Sequence, residues 1–115
     1  MIGLAAVGFA LCADSTPEEA AKHVGEVVTV RGTVAEVFLS KGGNAYLNFG
    51  APFPGQTFSA AVLVKKTPEL LAGGTDWLTA FQGKEVAVTG KIEIYKGKPE
   101  IVIRSKEDVK AAQAK

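Results

Sequence analysis

The sequence predicts an all-β fold, a small closed barrel with minor helices. Residues 26–40 (EVVTVRGTVAEVFLS) carry most of that expectation. Val28, Val30 and Val34 share one face at a period of two, Gly32 lies between them, and Thr29, Arg31, Thr33 and Ala35 take the other face. This is a half-buried strand by pattern and by β-branched content. After Ala35 the apolar phase changes to Val37 and Leu39, as a bulge would make it, and the strand is far longer than the usual five or six residues. A long strand bent at a glycine can pair with different partners at its two ends, which closes a small barrel. The frame V-x-V-x-G-x-aliphatic then recurs, at 28–34 and at 86–92, so two strands with the same kink are expected to lie side by side.

The remaining elements follow in order. Residues 14–25 open with helix-start chemistry: Ser15 or Thr16 as cap, Pro17 in the first turn, then Glu18 and Glu19 where the helix dipole favours acid, with Gly25 closing a short lead-in helix. After the long strand, residues 41–44 (KGGN) are a loop. Residues 45–49 (AYLNF) form a second strand with Leu47 and Phe49 on one face and Tyr46 and Asn48 on the other. A Pro/Gly-rich connection, 50–56, leads to a third strand at 57–65, with Phe58, Ala60, Val62 and Val64 in phase. Thr67-Pro68-Glu69 starts a helical region that the Gly73-Gly74 pair divides in two, with Trp77, Leu78 and Phe81 as its apolar face. A fourth strand, 84–95, and a fifth, 99–104, flank the tight turn Lys96-Gly97-Lys98. Residues 106–115 read as a charged tail or a short terminal helix.

The N-terminal residues 1–13 stand apart. From Ile2 to Ala13 they are uninterruptedly apolar or small, too short to span a bilayer and of the length of a signal-peptide core. They predict an exported, periplasmic or secreted protein, with no stable membrane span after processing. No Lys or Arg precedes the run, and the alternative is a buried N-terminal helix in a cytoplasmic protein.

At 115 residues the chain accommodates one domain, 26–105, with one modest core. The net charge of +1 gives no overall electrostatic pull toward nucleic acid, which leaves local patches to decide the matter. One Cys and one His exclude a disulfide framework and a Cys/His metal cluster within the chain. No phosphate loop, dinucleotide fingerprint or metal-ligand spacing is present. His23 has no cysteine near it in sequence, and no Ser or Thr has a visible base. The expectation is a non-enzymatic protein with no cofactor, no metal and no catalytic residue.

Three strands, a helix, then two strands joined by a hairpin is the element order of the OB-fold, a five-stranded Greek-key barrel with its helix between strands three and four. The segments VGEVVTVRGTV (24–34), PFPGQTFS (52–59) and VTGKIEIYKGKPEIV (88–102) resemble bacterial single-domain OB-fold proteins described as nucleic-acid-binding-like, which occur behind an export signal or beside nuclease domains. The resemblance spans about residues 22–105. It implies a single-stranded nucleic acid as partner, bound on the outer face of strands two and three between the first loop and the last hairpin.

Such binding needs aromatic faces for stacking and cations along the backbone. The candidates are Tyr46 and Asn48 on the second strand, Lys41 in the first loop, Tyr95, Lys96 and Lys98 at the final hairpin, Arg31 on the first strand and Phe53 between its prolines. Lys65 and Lys66 extend the cationic rim. Each has a plainer reading: lysines flank turns for solubility, Tyr46 can serve cross-strand packing, and Phe53 can plug its loop. Glu93 and Glu100 are expected to face each other across the last hairpin as a solvated charge ladder. The competing expectation is an envelope barrel that binds a protein partner or a small ligand.

Overall fold

The computed structural model describes residues 13–112. Seven strands make one sheet: β1 (Ala13–Ser15), β2 (Val27–Leu39), β3 (Ala45–Phe49), β4 (Phe58–Val62), β5 (Glu85–Tyr95), β6 (Lys98–Val102) and β7 (Val109–Ala111). Their order is β1-β2-β3-β4-β6-β5-β7, and an added β2–β5 pairing closes five of them into a ring. β4 and β6 run parallel; the other ring neighbours are antiparallel.

The ring closes where the repeated sequence frame pairs with itself. Val28 lies opposite Gly90, Val30 opposite Val88, and Gly32 opposite Val86. Each glycine is a place of close approach. A Cβ on Gly32 would stand 2.7 Å from Pro17 Cγ, and one on Gly90 would stand 2.5 Å from Ile101 Cγ2. The register of β2 against β3 shifts between Val34 and Glu36, the position of the expected phase change. Through Thr33 β2 pairs with β5; from Val34 onward it pairs with β3.

The inward residues form one apolar core, with Val28, Val30, Leu47, Phe49, Phe58, Val86, Val88, Ile92 and Ile101 all buried. Phe49 and Phe58, directly opposite on β3 and β4, pack ring on ring at 5.3 Å. Helical segments cover the barrel. A 3-10 helix, Pro17–His23, is capped by the Thr16 hydroxyl, which accepts from the Glu19 N–H at 3.2 Å, and it buries Ala20. Between β4 and β5 lie a 3-10 turn, Pro68–Leu70, and a one-turn helix α1, Asp76–Thr79. Leu78 enters the core from α1, while Trp77 packs beside it and donates its indole N–H to the Leu70 carbonyl at 2.9 Å. Among the described residues no helix is long and apolar enough to cross a membrane.

Three expectations need correction. The sheet has seven strands, not five, because three-residue strands are added at both sides of the β2–β5 pair. One of them, β1, takes Asp14 and Ser15 from the expected lead-in helix, which is a 3-10 helix beginning at Pro17. The other, β7, occupies the supposed tail: after a 3-10 turn at Lys106–Asp108, Val109 is buried against β5 opposite Val88. The predicted leader, 1–13, lies outside the described residues except for Ala13, which opens β1 opposite Val28.

Candidate functional site

The outward face of the β3-β4-β6 side carries the most unusual chemistry of the molecule. Cross-strand register lines up Glu36 with Asn48, Asn48 with Ser59, Ser59 with Glu100, and Glu100 with Glu93. One polar row thus crosses all five strands of the ring. Its first half is fully bonded: Ser59 Oγ donates to Asn48 Oδ1 at 2.7 Å, and Asn48 Nδ2 donates to Glu36 Oε1 at 3.2 Å. The same Glu36 oxygen accepts from the Phe53 backbone N–H at 2.9 Å, so the row also anchors the 50–57 loop. Glu100 has no such partner among the described residues. It is only 7% exposed.

Beside this row runs an aromatic one. Phe38 lies opposite Tyr46 with ring centroids 6.2 Å apart, and Phe53 stacks on Phe38 at 5.2 Å with planes 19° apart. Phe53 keeps 55% of its surface in solvent. It lies over Phe38 on the outside of the sheet and is not buried beneath its loop. Across the groove stands Tyr95, 50% exposed, opposite Lys98 on the hairpin. Lys96 takes a left-handed backbone, φ 52°, beside the equally left-handed Gly97, and its Nζ sits 5.3 Å from the Tyr95 ring centroid. Lys98 Nζ donates to the Pro54 carbonyl, tying the hairpin to the proline loop.

Two hollows open on this face. The first, about 360 Å³, is bounded by the Phe38–Phe53 stack, Gln56, Ser59 and the hairpin lysines. The second, about 440 Å³, continues past Gly42 and Asn44 to Lys65 and Lys66. Tyr46, Tyr95 and Glu100 line both, and so form the waist of one continuous groove. Burial, and then the charge of Glu93 opposite, push the Glu100 carboxyl from 4.5 to about 7.

With this geometry in view, the comparisons with known proteins concern architecture. The chain matches the solved structure of an OBody bound to hen egg-white lysozyme, called AM1L10, with TM-score 0.55 and 22% identity over 81% of this chain and 85% of that one. It matches a second lysozyme-bound OBody, AM2EP06, with TM-score 0.57 and 17% identity over 84% and 90%. It matches the Stn1-Ten1 complex of S. pombe with TM-score 0.53 and 15% identity, 76% of this chain covering 59% of that one. The likeness is one of fold: an OB-type barrel. No protein-family model and no curated protein sequence matches the chain.

Of the sequence-predicted site residues, Tyr46, Asn48, Phe53, Tyr95, Lys96 and Lys98 come together around the first hollow. Asn48, however, is 1% exposed and bonded through both ends of its amide, so it braces Glu36 and Ser59 instead of offering itself to a ligand. Lys41 is exposed in the loop whose neighbours Ser40 and Gly42 line the groove, though it lines neither hollow itself. Arg31 stands elsewhere, on the β2–β5 side, 3.4 Å from Asp14 of β1. Glu100 and Glu93 do face each other, but Glu100 is buried rather than solvated.

Sequence reasoning missed Phe38, Gln56, Ser59 and the role of Glu36. For Phe38 the signal was present, because the phase change after Ala35 turns it to the face of Tyr46. Among the described residues no group of three or more His, Cys, Asp or Glu could hold a metal ion. His23, whose Nδ1 lies 3.0 Å from Glu26, is remote from the groove lining.

Proposed function

We propose that the chain is a non-catalytic binding module that takes single-stranded nucleic acid along this groove. The observation that carries the reading is the outward aromatic row, Phe53 on Phe38 beside Tyr46, facing Tyr95 across a groove rimmed by lysines. Aromatic faces on one sheet surface stack bases with little regard to their identity, and each stacked base contributes about 1–3 kcal/mol. Lys96, Lys98, Lys65 and Lys66 stand at the margins, where phosphates would pass. The one carboxylate of the lining among the described residues, Glu100, lies at the waist between the hollows, which favours bases inward and backbone outward. An export route for the module rests on the apolar run 1–13 alone.

The test is fluorescence anisotropy of labelled oligothymidylate against the full chain, at low and near-physiological salt. Affinity should fall log-linearly with salt, by about 0.7 in slope for each phosphate neutralised. The triple variant Tyr46→Ala, Lys96→Ala, Lys98→Ala should bind markedly more weakly and with a shallower slope. A triple variant that binds as the parent does would place the site elsewhere.

The second reading is a protein partner on the same face. It is favoured by the Glu100 carboxylate in the groove lining and by the two similar solved structures that are bound to lysozyme. A pull-down that recovers one protein regardless of nuclease treatment would decide for it.

A further inference from the structure

Two acceptors along the groove lack a donor. The Gln56 Oε1 atom is buried with no partner. Glu100 is 7% exposed as a residue, and its carboxyl takes part in no hydrogen bond or ion pair among the described residues, although Ser59 beside it on β4 is bonded to Asn48. Burying the Gln56 acceptor without a donor is costly, and natural proteins rarely leave one so, while the Glu100 oxygens are not fully buried and stay open to a donor from the groove. Both line the first hollow, and Glu100 shares the waist with Tyr46 and Tyr95. A ring lying on either tyrosine would therefore share the hollow with this carboxyl.

The complement of an unpartnered carboxylate is a pair of adjacent N–H groups, since an ionised carboxylate accepts through both oxygens and donates nothing. Among the bases, guanine carries such a pair on its Watson–Crick edge, at N1 and N2. Thymine and uracil present a single N–H between two carbonyls, whose oxygens the carboxylate repels. Unstacked bases in single strands are free to be read on that edge. We infer that Glu100 reads the Watson–Crick edge of a guanine lying at the waist of the groove, so that the module prefers guanine over thymine and uracil. The inference rests on the nucleic-acid reading above and adds a base preference to otherwise tolerant stacking.

The surroundings of Glu100 give this preference a pH sign. Glu93 faces it from β5, Lys98 lies two residues before it on β6, and Lys96 stands on the hairpin. Lys65 and Lys66 border the second hollow beyond β4, and Tyr46 and Tyr95 flank the waist. With its carboxyl raised to about 7, Glu100 is mostly protonated at pH 6 and mostly ionised at pH 8. Ionisation repels phosphate and weakens every oligonucleotide, yet it completes the two-acceptor edge that guanine needs. Total affinity and guanine preference are thus expected to move in opposite directions.

The experiment compares two labelled probes of about twelve nucleotides, within the usual reach of one such barrel. One is oligothymidylate; the other is the same strand with two central guanines. At pH 8 the guanine probe should bind about tenfold tighter to the full chain, the discrimination expected of a two-bond edge contact. At pH 6 the ratio should shrink toward one. Glu100→Gln, which keeps the shape and removes the charge, should abolish the ratio at pH 8 while still binding oligothymidylate.

Equal affinities at pH 8, or a ratio that Glu100→Gln leaves intact, would overturn the inference while the nucleic-acid reading stands. Binding of neither probe would overturn both. An arginine-containing peptide captured in their place would then assign the carboxyl to a cationic side chain.

Discussion

The two sides of the barrel treat polar groups differently. On the β2–β5 side, the outward Thr29 and Thr89 lie opposite each other and share a 2.8 Å hydroxyl hydrogen bond, and Arg31 meets Asp14. On the β3-β4-β6 side, a polar row begins equally well bonded at Glu36, Asn48 and Ser59, then reaches a largely buried Glu100 whose carboxyl has no bonded partner among the described residues and faces Glu93. The first side closes the barrel. The second leaves an acceptor and four exposed or half-exposed aromatic rings around a groove. Where a fold tolerates an uncompensated group, the natural place to look is the surface that meets a ligand.

Both sides rest on one core, and the largest effect is expected there. Phe49→Ala removes the ring that packs on Phe58 and lies against Gly32. It should cost about 3–5 kcal/mol in urea unfolding. A loss below 1 kcal/mol would mean that the two sides do not share one core.

The next effect has the opposite sign. Burial and Glu93 hold the folded Glu100 carboxyl at about 7 against 4.5. The folded state therefore binds more protons than the unfolded one between those values, and stability falls as pH rises through that window. Glu100→Gln should stabilise the protein at pH 8 by up to about 3 kcal/mol, with little change at pH 4. Denaturation of parent and variant at both pH values checks this. Equal stability at pH 8 would show that the carboxyl is not held at a cost.

On the closing side, Gly32→Ala puts a methyl 2.7 Å from Pro17 Cγ and should destabilise by about 1–3 kcal/mol. Thermal unfolding reads it, and an unchanged midpoint would deny the close approach of the 3-10 helix. The smallest stability effect belongs to the groove rim. Phe53→Ala, at a ring half in solvent, should change stability by under about 1 kcal/mol yet weaken oligonucleotide binding by about fivefold or more. Unaltered binding would remove Phe53 from the site.

The contrast between the sides also marks what was legible in the sequence. The closing side was written in periodicity: two copies of one valine-glycine frame, and a phase change after Ala35 that coincides with the register shift between Val34 and Glu36. The added strands β1 and β7 were not legible. Each is three residues long, and backbone pairing at an edge leaves no hydrophobic period. The groove was legible in its aromatics and lysines, because Tyr46, Phe53 and Tyr95 announce themselves by type. Its polar row was not, since Glu36, Asn48, Ser59 and Glu100 come from four strands and meet only through register. Glu100, flanked in sequence by a lysine-bearing turn, read as a solvated charge until the fold buried it.

Ligand is expected to meet the β3-β4-β6 side and not the closing side. Amide chemical-shift mapping on the labelled full chain, titrated with oligothymidylate at low salt, tests it most directly. Shifts should concentrate at Phe38, Tyr46, Phe53, Ser59, Lys98 and Glu100, leaving Thr29, Ala87 and Thr89 unmoved. Shifts that gather along the β2–β5 pair, or none at all, would contradict it.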